Sequence, residues 1–403
     1  MSLSTENASL DYEAHATYLG YRNGDQGPRF PVRERNKIDM AAWPSWSFRI
    51  KSPESASRIE GGLRVDGQLK SGCEKQPLVS YVTVVRNNER TLERTIKSVQ
   101  SQDYDNVEHI ILDGASTDGT LGIIQRYADV IDYFISEPDA GLYDALNKAI
   151  PLARGQLICV LNSDDWLECD AARIAVSHLR DTDSAVLILT AARVADNEGA
   201  IHEWPPAFVH PGSYFTCAND CHNAIYASRR SYELSGPYDH TYKIAADFKW
   251  IMSCLDAGST FIYTAESTVN YSLGGTSGDF LGHSRECMKV VHERFPYLTE
   301  QEVRGLYHCY FIFSNPQHKI DQDIPESYTG FLRKIMADHA NRIDFCSSLG
   351  WAAITKLDHP SDRSSPILSR GFVGLKYAIA AKLRRYPFIY NIARNVYRNF
   401  IKV

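Results

Sequence analysis

The sequence predicts an α/β fold, a mostly parallel sheet flanked by helices, with a helical extension toward the C-terminus. Three observations carry that expectation. Apolar runs of strand length alternate with helical periodicity from Pro77 to Asp165. Those runs are apolar almost throughout rather than at every second residue, which marks strands covered on both faces. Near the end of the chain Phe372, Leu375, Ile379, Leu383 and Tyr386 recur at helical spacing.

Taken in order, residues 1–53 are polar, without a sustained period, and read as a flexible or loosely packed leader. Gly61-Gly62-Leu63-Arg64-Val65 and Gly67-Gln68-Leu69 suggest a small hairpin. The first strand is Leu78–Val85, ending at Arg86-Asn87-Asn88, after which Leu92, Ile96 and Val99 fall on one helix face. Val107–Leu112 makes a second strand that stops at Asp113-Gly114. Asp118 then caps a helix through Ile123, Ile124 and Tyr127. A third strand, Ile131–Ser136, a helix, Tyr143–Ala153, and a fourth strand, Gln156–Leu161, complete the series. Alternation of this kind demands parallel strands with crossover helices, and ligands bind beyond the carboxyl ends of such strands. Asn87-Asn88, Asp113-Gly114-Ala115-Ser116 and Asn162-Ser163-Asp164-Asp165 all follow strands and should converge on one cleft.

Composition narrows the class. Forty-four per cent hydrophobic and 23% charged residues exclude a wholly disordered chain. A net charge of −6 is too mildly acidic for bulk nucleic-acid binding. No run of about 18 apolar residues is present, and the first 25 residues lack an apolar signal core, so neither a spanning helix nor a secretory signal is expected. Nine scattered cysteines argue for a reducing compartment rather than a disulfide framework. Cys217-Ala-Asn-Asp-Cys221-His222 looks like half a metal site, but no second half accompanies it.

The dinucleotide and P-loop glycine signatures are missing, and the expected cleft is lined by acids. Acids repel a pyrophosphate unless a divalent cation intervenes. Mg²⁺ or Mn²⁺ held by one or two carboxylates and by substrate phosphates meets that need, with Asp164 and Asp165 at a strand end. The same four residues also read as a turn capping the next helix.

Pro77–Asn87, Asp113-Gly114-Ala115-Ser116-Thr117-Asp118-Gly119-Thr120, Ser136–Lys148 and Gly155–Asp165 together resemble the family-2 glycosyltransferases, most closely the bacterial exopolysaccharide and lipopolysaccharide type. The resemblance spans about 77–280. It implies a GT-A type, Rossmann-like fold, a nucleoside diphosphate sugar donor and inverting transfer to a saccharide acceptor, often lipid-linked. By the same resemblance Asp113 receives the nucleotide base between Val85 and Asn87, and Asp139 meets the donor's sugar or ribose, although a Pro-Asp-x-Gly turn explains that residue too. Asn162 stands where the family's Asp-x-Asp motif has its first acid, which leaves Asp164 as the direct metal ligand and weakens the expected cation dependence. Lys148 either neutralises a phosphate or is a surface lysine. Asp247, in Ile244–Trp250, corresponds to the catalytic acid of relatives. A sugar hydroxyl is a poor nucleophile and needs such a base, although Asp247 could serve as a helix cap. His222 shapes the acceptor side or orients a phosphate, or else is a packed histidine. Tyr271–Ser277 resembles a Gly-Gly-x-Ser element whose Gly275 and Ser277 approach the diphosphate or the acceptor. Two rivals are a nucleotidyltransferase, which needs a Gly-rich basic loop after its first strand, and a non-catalytic nucleotide-sugar-binding protein, which can dispense with Asp247.

This reading divides the chain into a leader (1–53), a GT-A domain (54–280, donor half about 77–165, acceptor half about 166–280) and a helical extension (281–403). From Arg363 onward there are nine Lys or Arg and no acid, leaving 34 basic against 49 acidic residues, a body at −15. Basic faces beside apolar stripes suit an anionic membrane surface, and equally suit packing on an acidic body. The expectation is a cytoplasmic enzyme, peripheral on the inner face of the membrane, with no nucleic-acid partner.

Overall fold

The computed structural model describes residues 58–195, 201–216, 221–273, 279–312 and 328–357. The leader, Gly275, Ser277 and the basic tail lie outside them. The described residues fall into two compact units, one drawn from 21–208 and 219–278 and the other from 209–218 and 279–403.

The first unit is built on one ten-stranded sheet. β1 (Ile59–Gly61), β2 (Val79–Val85), β3 (Val107–Asp113), β4 (Tyr133–Ser136) and β5 (Leu157–Val160) come first along the chain. β6 (Trp166–Leu167), β7 (Val186–Ala195), β8 (Ile201–Trp204), β9 (Ile225–Ser228) and β10 (Thr260–Ser272) follow. The spatial order is β1-β4-β3-β2-β5-β9-β7-β10-β6, with β8 paired to β7. Helices α1 (Leu92–Gln100), α2 (Thr120–Arg126), α3 (Leu142–Ala149), α4 (Ala171–His178), α5 (Arg229–Ser235) and α6 (Ala246–Asp256) connect these strands.

β4-β3-β2-β5 is wholly parallel, as the apolar runs require, and every residue of β2 is buried. Beyond β5 the sheet becomes mixed: β9 runs antiparallel to both β5 and β7, whereas β7 and β10 are parallel. The expectation of a mostly parallel sheet therefore describes the first half of the unit. The expected hairpin before β2 is not formed. Ile59–Gly61 instead pairs antiparallel with β4, and Gly62, at φ +96°, turns the chain away. Gly62 could not be replaced cheaply, because a Cβ there would lie 2.7 Å from the Ile131 carbonyl.

Two apolar clusters hold the layers. Val85, Leu92, Ile96, Ile111, Ile124 and Phe134 pack α1 and α2 onto one face of the first half. Tyr81, Leu157, Ala172, Ile188, Tyr226 and Ile262 bind the two halves of the sheet together. All eight described cysteines are free, and most are buried, in keeping with core residues.

The second unit contains the short helix Ser213–Thr216, then α7 (Phe280–Arg294), α8 (Glu300–Tyr307), α9 (Tyr328–Asp338) and α10 (Ile343–Leu357). Its interior is aromatic. Phe215 and Phe295 stack at 5.4 Å, and Phe345 meets both edge-on at 5.8 and 5.5 Å. Thr299 and Glu302 form a capping box at the start of α8.

At the amino ends of the strands in the first unit, fully buried Glu108 accepts from the Arg64 guanidinium, the Ser80 hydroxyl and the Arg154 N–H, each at 2.5 Å. Removing one partner of a buried ion pair strands the other charge. Glu108→Ala should therefore cost about 3–5 kcal/mol, read as a lower urea midpoint at unchanged m-value.

Candidate active site

Parallel register aligns Val85, Asp113 and Ser136 across three adjacent strands, so the loops after β2, β3 and β4 leave the sheet side by side. Asp113 is fully buried and already met. Its carboxylate accepts the Ser116 hydroxyl at 2.5 Å, the Ser116 N–H at 3.1 Å and the Ser136 hydroxyl at 2.6 Å. Asp113 is thus a sequestered carboxylate that shapes the Ala115-Ser116 turn. Asn87 and Ala115, both at φ 53°, hold that turn against the first loop. The Asn87 N–H donates to Ser116 Oγ, and its Oδ1 accepts the Thr117 N–H, both at 2.8 Å. Asp118 accepts the Thr120 N–H at 3.0 Å but stands one residue before the cap position, which Gly119 occupies without a side-chain cap bond, so it is not the N-cap expected of it.

Asp139 joins the same corner. Its Oδ1 accepts the Gly141 N–H at 2.8 Å, closing the turn read in the sequence. Its Oδ2 lies so close to the Gly114 backbone that a Cβ on Gly114 would sit 2.3 Å away. A larger residue at 114 would push the Asp139 carboxylate aside. Neighbouring Glu137 is buried between Arg58 (3.6 Å) and Lys148 (3.7 Å), and Lys148 also binds Asp144 at 3.0 Å. Lys148 ties α3 to the preceding loop through Glu137 and the Pro138 carbonyl.

The segment Asn162–Asp165 follows β5. β9 runs antiparallel to β5, so the 3-10 turn His222–Ala224 that precedes β9 arrives at the same end of the sheet. Asn223 Oδ1 accepts the Asn162 N–H at 3.1 Å, and Asn223 Nδ2 donates to Asp165 Oδ2 at 2.5 Å. From the other side, the antiparallel pairing of β6 and β10 brings up Ser272, whose N–H donates to Asp165 Oδ1 at 2.7 Å. Ser272 Oγ and the Arg94 guanidinium both donate to the Asp164 carbonyl, at 2.6 and 2.7 Å, and Arg94 lies 3.7 Å above the Trp166 ring. The backbone of Asp164 is thereby pinned, whereas its half-buried carboxylate makes no hydrogen bond or salt bridge among the described residues. Asp165, 1% exposed, is the structural member of the pair. Burial raises its pKa to about 7 against the donors that favour its anion, and the Asp164 charge adds to the rise.

A fixed backbone bearing one uncommitted carboxylate, beside an amide oxygen at Asn162, is a hard-oxygen donor set. No group of three or more His, Cys, Asp or Glu able to hold a metal exists among the described residues. The residues present therefore fit a cation that completes its shell with substrate phosphates, and not an all-protein cage.

Asp247 lies in the first turn of α6, not at its cap, and its side chain is 28% exposed. Oδ1 accepts the Phe248 N–H at 2.8 Å and faces the Tyr143 hydroxyl at 3.2 Å. Oδ2 faces His222 Nδ1 at 4.0 Å, beyond hydrogen-bond reach. Burial lowers the His222 pKa, opposed in part by the charge of Asp247, so the ring is neutral near pH 7. Sequence reading assigns no role to Asn223, Ser272, Tyr143 or Arg94, and places Asp165 beside a metal rather than in the scaffold. All but Arg94 fall within motif segments, but nothing local tells which partner each will meet.

Residues 80–226 match the family model described as glycosyl transferase family 2. The chain is 30% identical over 235 residues to chondroitin synthase of Escherichia coli, covering 57% of this chain and 33% of that one. It is 27% identical over 182 residues to a PGL/p-HBAD biosynthesis glycosyltransferase of Mycobacterium bovis, covering 44% and 70%. The chain thus spans about a third of the length of the first of these curated relatives. Among solved structures, S. aureus TarS aligns over 68% of this chain and 54% of its own at a TM-score of 0.46 and 14% identity.

A carboxyl group whose folded pKa exceeds its unfolded one stabilises the native state at low pH and loses that contribution as pH rises. For Asp165 the window runs from about 4 to about 7. Relative to Asp165→Asn, the native protein should lose stability as pH climbs through that window. Parallel denaturant titrations at pH 4.5 and 7.5 check the sign.

Proposed function

We propose that this chain, whose residues 80–226 match the glycosyl transferase family 2 model, transfers one sugar, with inversion, from a nucleoside diphosphate sugar to a saccharide hydroxyl in cell-surface polysaccharide synthesis. The observation that supports this most is the state of Asp247. Its Oδ1 is anchored by the Phe248 N–H, and its Oδ2 is left to the His222 side without a salt-bridging lysine or arginine among the described residues. A carboxylate held at one oxygen and open at the other is suited to take a proton from an attacking hydroxyl.

In this reading the donor's base lies at the Asn87–Asp113–Asp139 corner, where it either displaces Ser116 from Asp113 or meets groups that Asp113 orients. Asp164, with Asn162 beside it, would hold Mg²⁺ or Mn²⁺, and an ion bound there supplies positive charge to the leaving diphosphate. Asp165, Asn223 and Ser272 keep the Asp164 backbone in place. Gly275 and Ser277, which follow Ser272, are assigned to the diphosphate or acceptor side from the family motif alone. The nucleotidyltransferase reading is disfavoured by the loop after β2, Arg86-Asn87-Asn88, which has no glycine. The non-catalytic reading leaves the setting of Asp247 without a purpose.

With turnover of UDP-, GDP- and dTDP-sugars followed as nucleotide release, Asp247→Asn should lower kcat by about 10²–10⁴-fold while donor affinity holds. Full activity in that variant, or turnover indifferent to EDTA, would count against the assignment.

We further propose that the acceptor is lipid-linked and that the enzyme sits on the inner face of the cytoplasmic membrane through the nine cations found from Arg363 onward. No helix among the described residues is long and apolar enough to cross a membrane. Each cation near an anionic surface contributes about 1 kcal/mol, screened over about 8 Å at physiological salt. The full chain should co-sediment with phosphatidylglycerol vesicles, more weakly when the salt is raised well above physiological strength. Deleting residues from Arg363 onward should abolish that binding and spare nucleotide release.

A further inference from the structure

We infer that Tyr232, Tyr238 and His222 form a hydrogen-bonded chain that turns the Nδ1–H of His222 toward Asp247 Oδ2, so that the attacking hydroxyl is held between the two. The inference rests on the reading of Asp247 as the base and adds positioning residues to it.

The geometry is continuous. The Tyr232 and Tyr238 hydroxyls are 3.3 Å apart, and Tyr238 Oη lies 2.9 Å from His222 Nε2. The far side of the ring, Nδ1, is the atom 4.0 Å from Asp247 Oδ2. Tyr232 and Tyr238 are 2% and 1% exposed, and burial pushes both phenols upward, so each keeps its proton. A neutral His222 has one N–H to place. With the proton on Nε2, a bare Nδ1 lone pair would face the Asp247 carboxylate. With the proton on Nδ1, Nε2 accepts from the Tyr238 hydroxyl and an N–H faces the anion. Electrostatics favours the second tautomer, and Tyr238 can supply the donor it needs.

Tyr238 is well fixed for that task. Asn147 grips its backbone on both sides, donating to the Tyr238 carbonyl at 2.8 Å and accepting its N–H at 2.9 Å. Its ring lies 5.3 Å from Trp250 and 5.6 Å from Tyr143. Tyr232 stacks on Trp250 at 4.4 Å, and the Trp250 indole N–H donates to the Gly236 carbonyl at 2.9 Å. Phenol, amide and indole are thus committed to holding one hydroxyl against one imidazole.

A 4.0 Å gap is too long for a direct hydrogen bond. An oxygen about 2.8 Å from both atoms would subtend an angle of about 90°, close to that between the proton and a lone pair on a hydroxyl. An acceptor hydroxyl there donates to Asp247 Oδ2 and accepts from His222 Nδ1–H. In transfer, its proton passes to Oδ2 and its electron pair forms the bond to the anomeric carbon. The bond from that carbon to the diphosphate oxygen breaks with its pair on the leaving group, and His222 keeps its proton throughout. Two hydrogen bonds of opposite sense fix which lone pair points at the sugar.

The test is a double-mutant cycle read as donor hydrolysis, in which water takes the place of the acceptor hydroxyl. Nucleotide release from a panel of UDP-, GDP- and dTDP-sugars is followed in Tyr238→Phe, His222→Asn and the double variant. Tyr238→Phe keeps the ring and should lower kcat about tenfold, with donor KM and the Mn²⁺ midpoint within about twofold of the parent. His222→Asn removes the imidazole and leaves an amide N–H whose orientation does not depend on Tyr238, and should by itself lower kcat about tenfold. In the His222→Asn background, Tyr238→Phe should then cost less than about twofold. Full activity in Tyr238→Phe, an equal loss in both backgrounds, or a loss that tracks donor KM overturns the chain while leaving Asp247 as the base. No turnover of any donor by the parent protein overturns the transferase reading and this inference with it.

Discussion

A carboxylate with 1% exposure has to be met by donors, and the way Asp165 meets that demand organises the rest of the site. Its donors and its own carbonyl draw in Asn223, Ser272 and Thr95, which lie 58, 107 and 70 residues away in sequence. Each comes from a different part of the first unit: the turn before β9, the end of β10 and the middle of α1. Closing three long separations onto one group is costly in chain entropy and is stable only because the sheet has already aligned these strand ends. The result is that the neighbouring Asp164 has a fixed backbone and an uncommitted side chain.

The 3-10 turn His222–Ala224 carries this order across the cleft. Consecutive side chains on it do different work: Asn223 reaches Asn162 and Asp165, and His222 reaches Tyr238 and the side of Asp247. A movement of one is therefore transmitted to the other through a single peptide unit. Helix α3 makes a parallel connection. It begins at the loop holding Asp139, places Tyr143 at Asp247 and Ile244, and places Asn147 at Tyr238. The corner proposed for the donor and the proposed base share rigid supports, which is what alignment of two reactants requires.

How much of this could be read beforehand depends on the range of the interaction. The four parallel strands were legible because burial on both faces leaves a local signature, and the loops after them followed from topology. Motif resemblance singles out Asp164, Asp247 and His222, and the structure sets the last two 4.0 Å apart; Asp118 reads as a helix cap but stands one residue ahead of Gly119, the cap position. What failed to show were contacts made across long separations. Nothing near Tyr143 indicates that its hydroxyl will meet a carbonyl at residue 244, 101 residues on. Lys148 and Glu137 look available in the sequence because their partners, Arg58 among them, arrive only with the fold. The sequestering of Asp113 by Ser116 and Ser136 combines one local and one remote hydroxyl, and only the local one lies within the motif. The edge strand β1 reads as part of a hairpin because a three-residue strand has too short a period to show where its partner lies.

The amide at Asn162 makes physical sense in this setting. The segment already holds two carboxylates in succession, one of them buried and raised to about 7 partly by the charge of the other. An amide at position 162 favours the Asp165 anion, whereas an ionised acid there would repel it. A third carboxylate would set a further like charge beside a group with almost no access to water. The gain in charge for a bound cation would come at the expense of the anion that anchors Asn223 and Ser272. With an amide at 162, the proposed cation site has Asp164 as its carboxylate, and Asp165 gains no further like charge. If Asp164 holds the cation as proposed, the amide at 162 gives up electrostatic strength toward that ion and spares the network that fixes the Asp164 backbone.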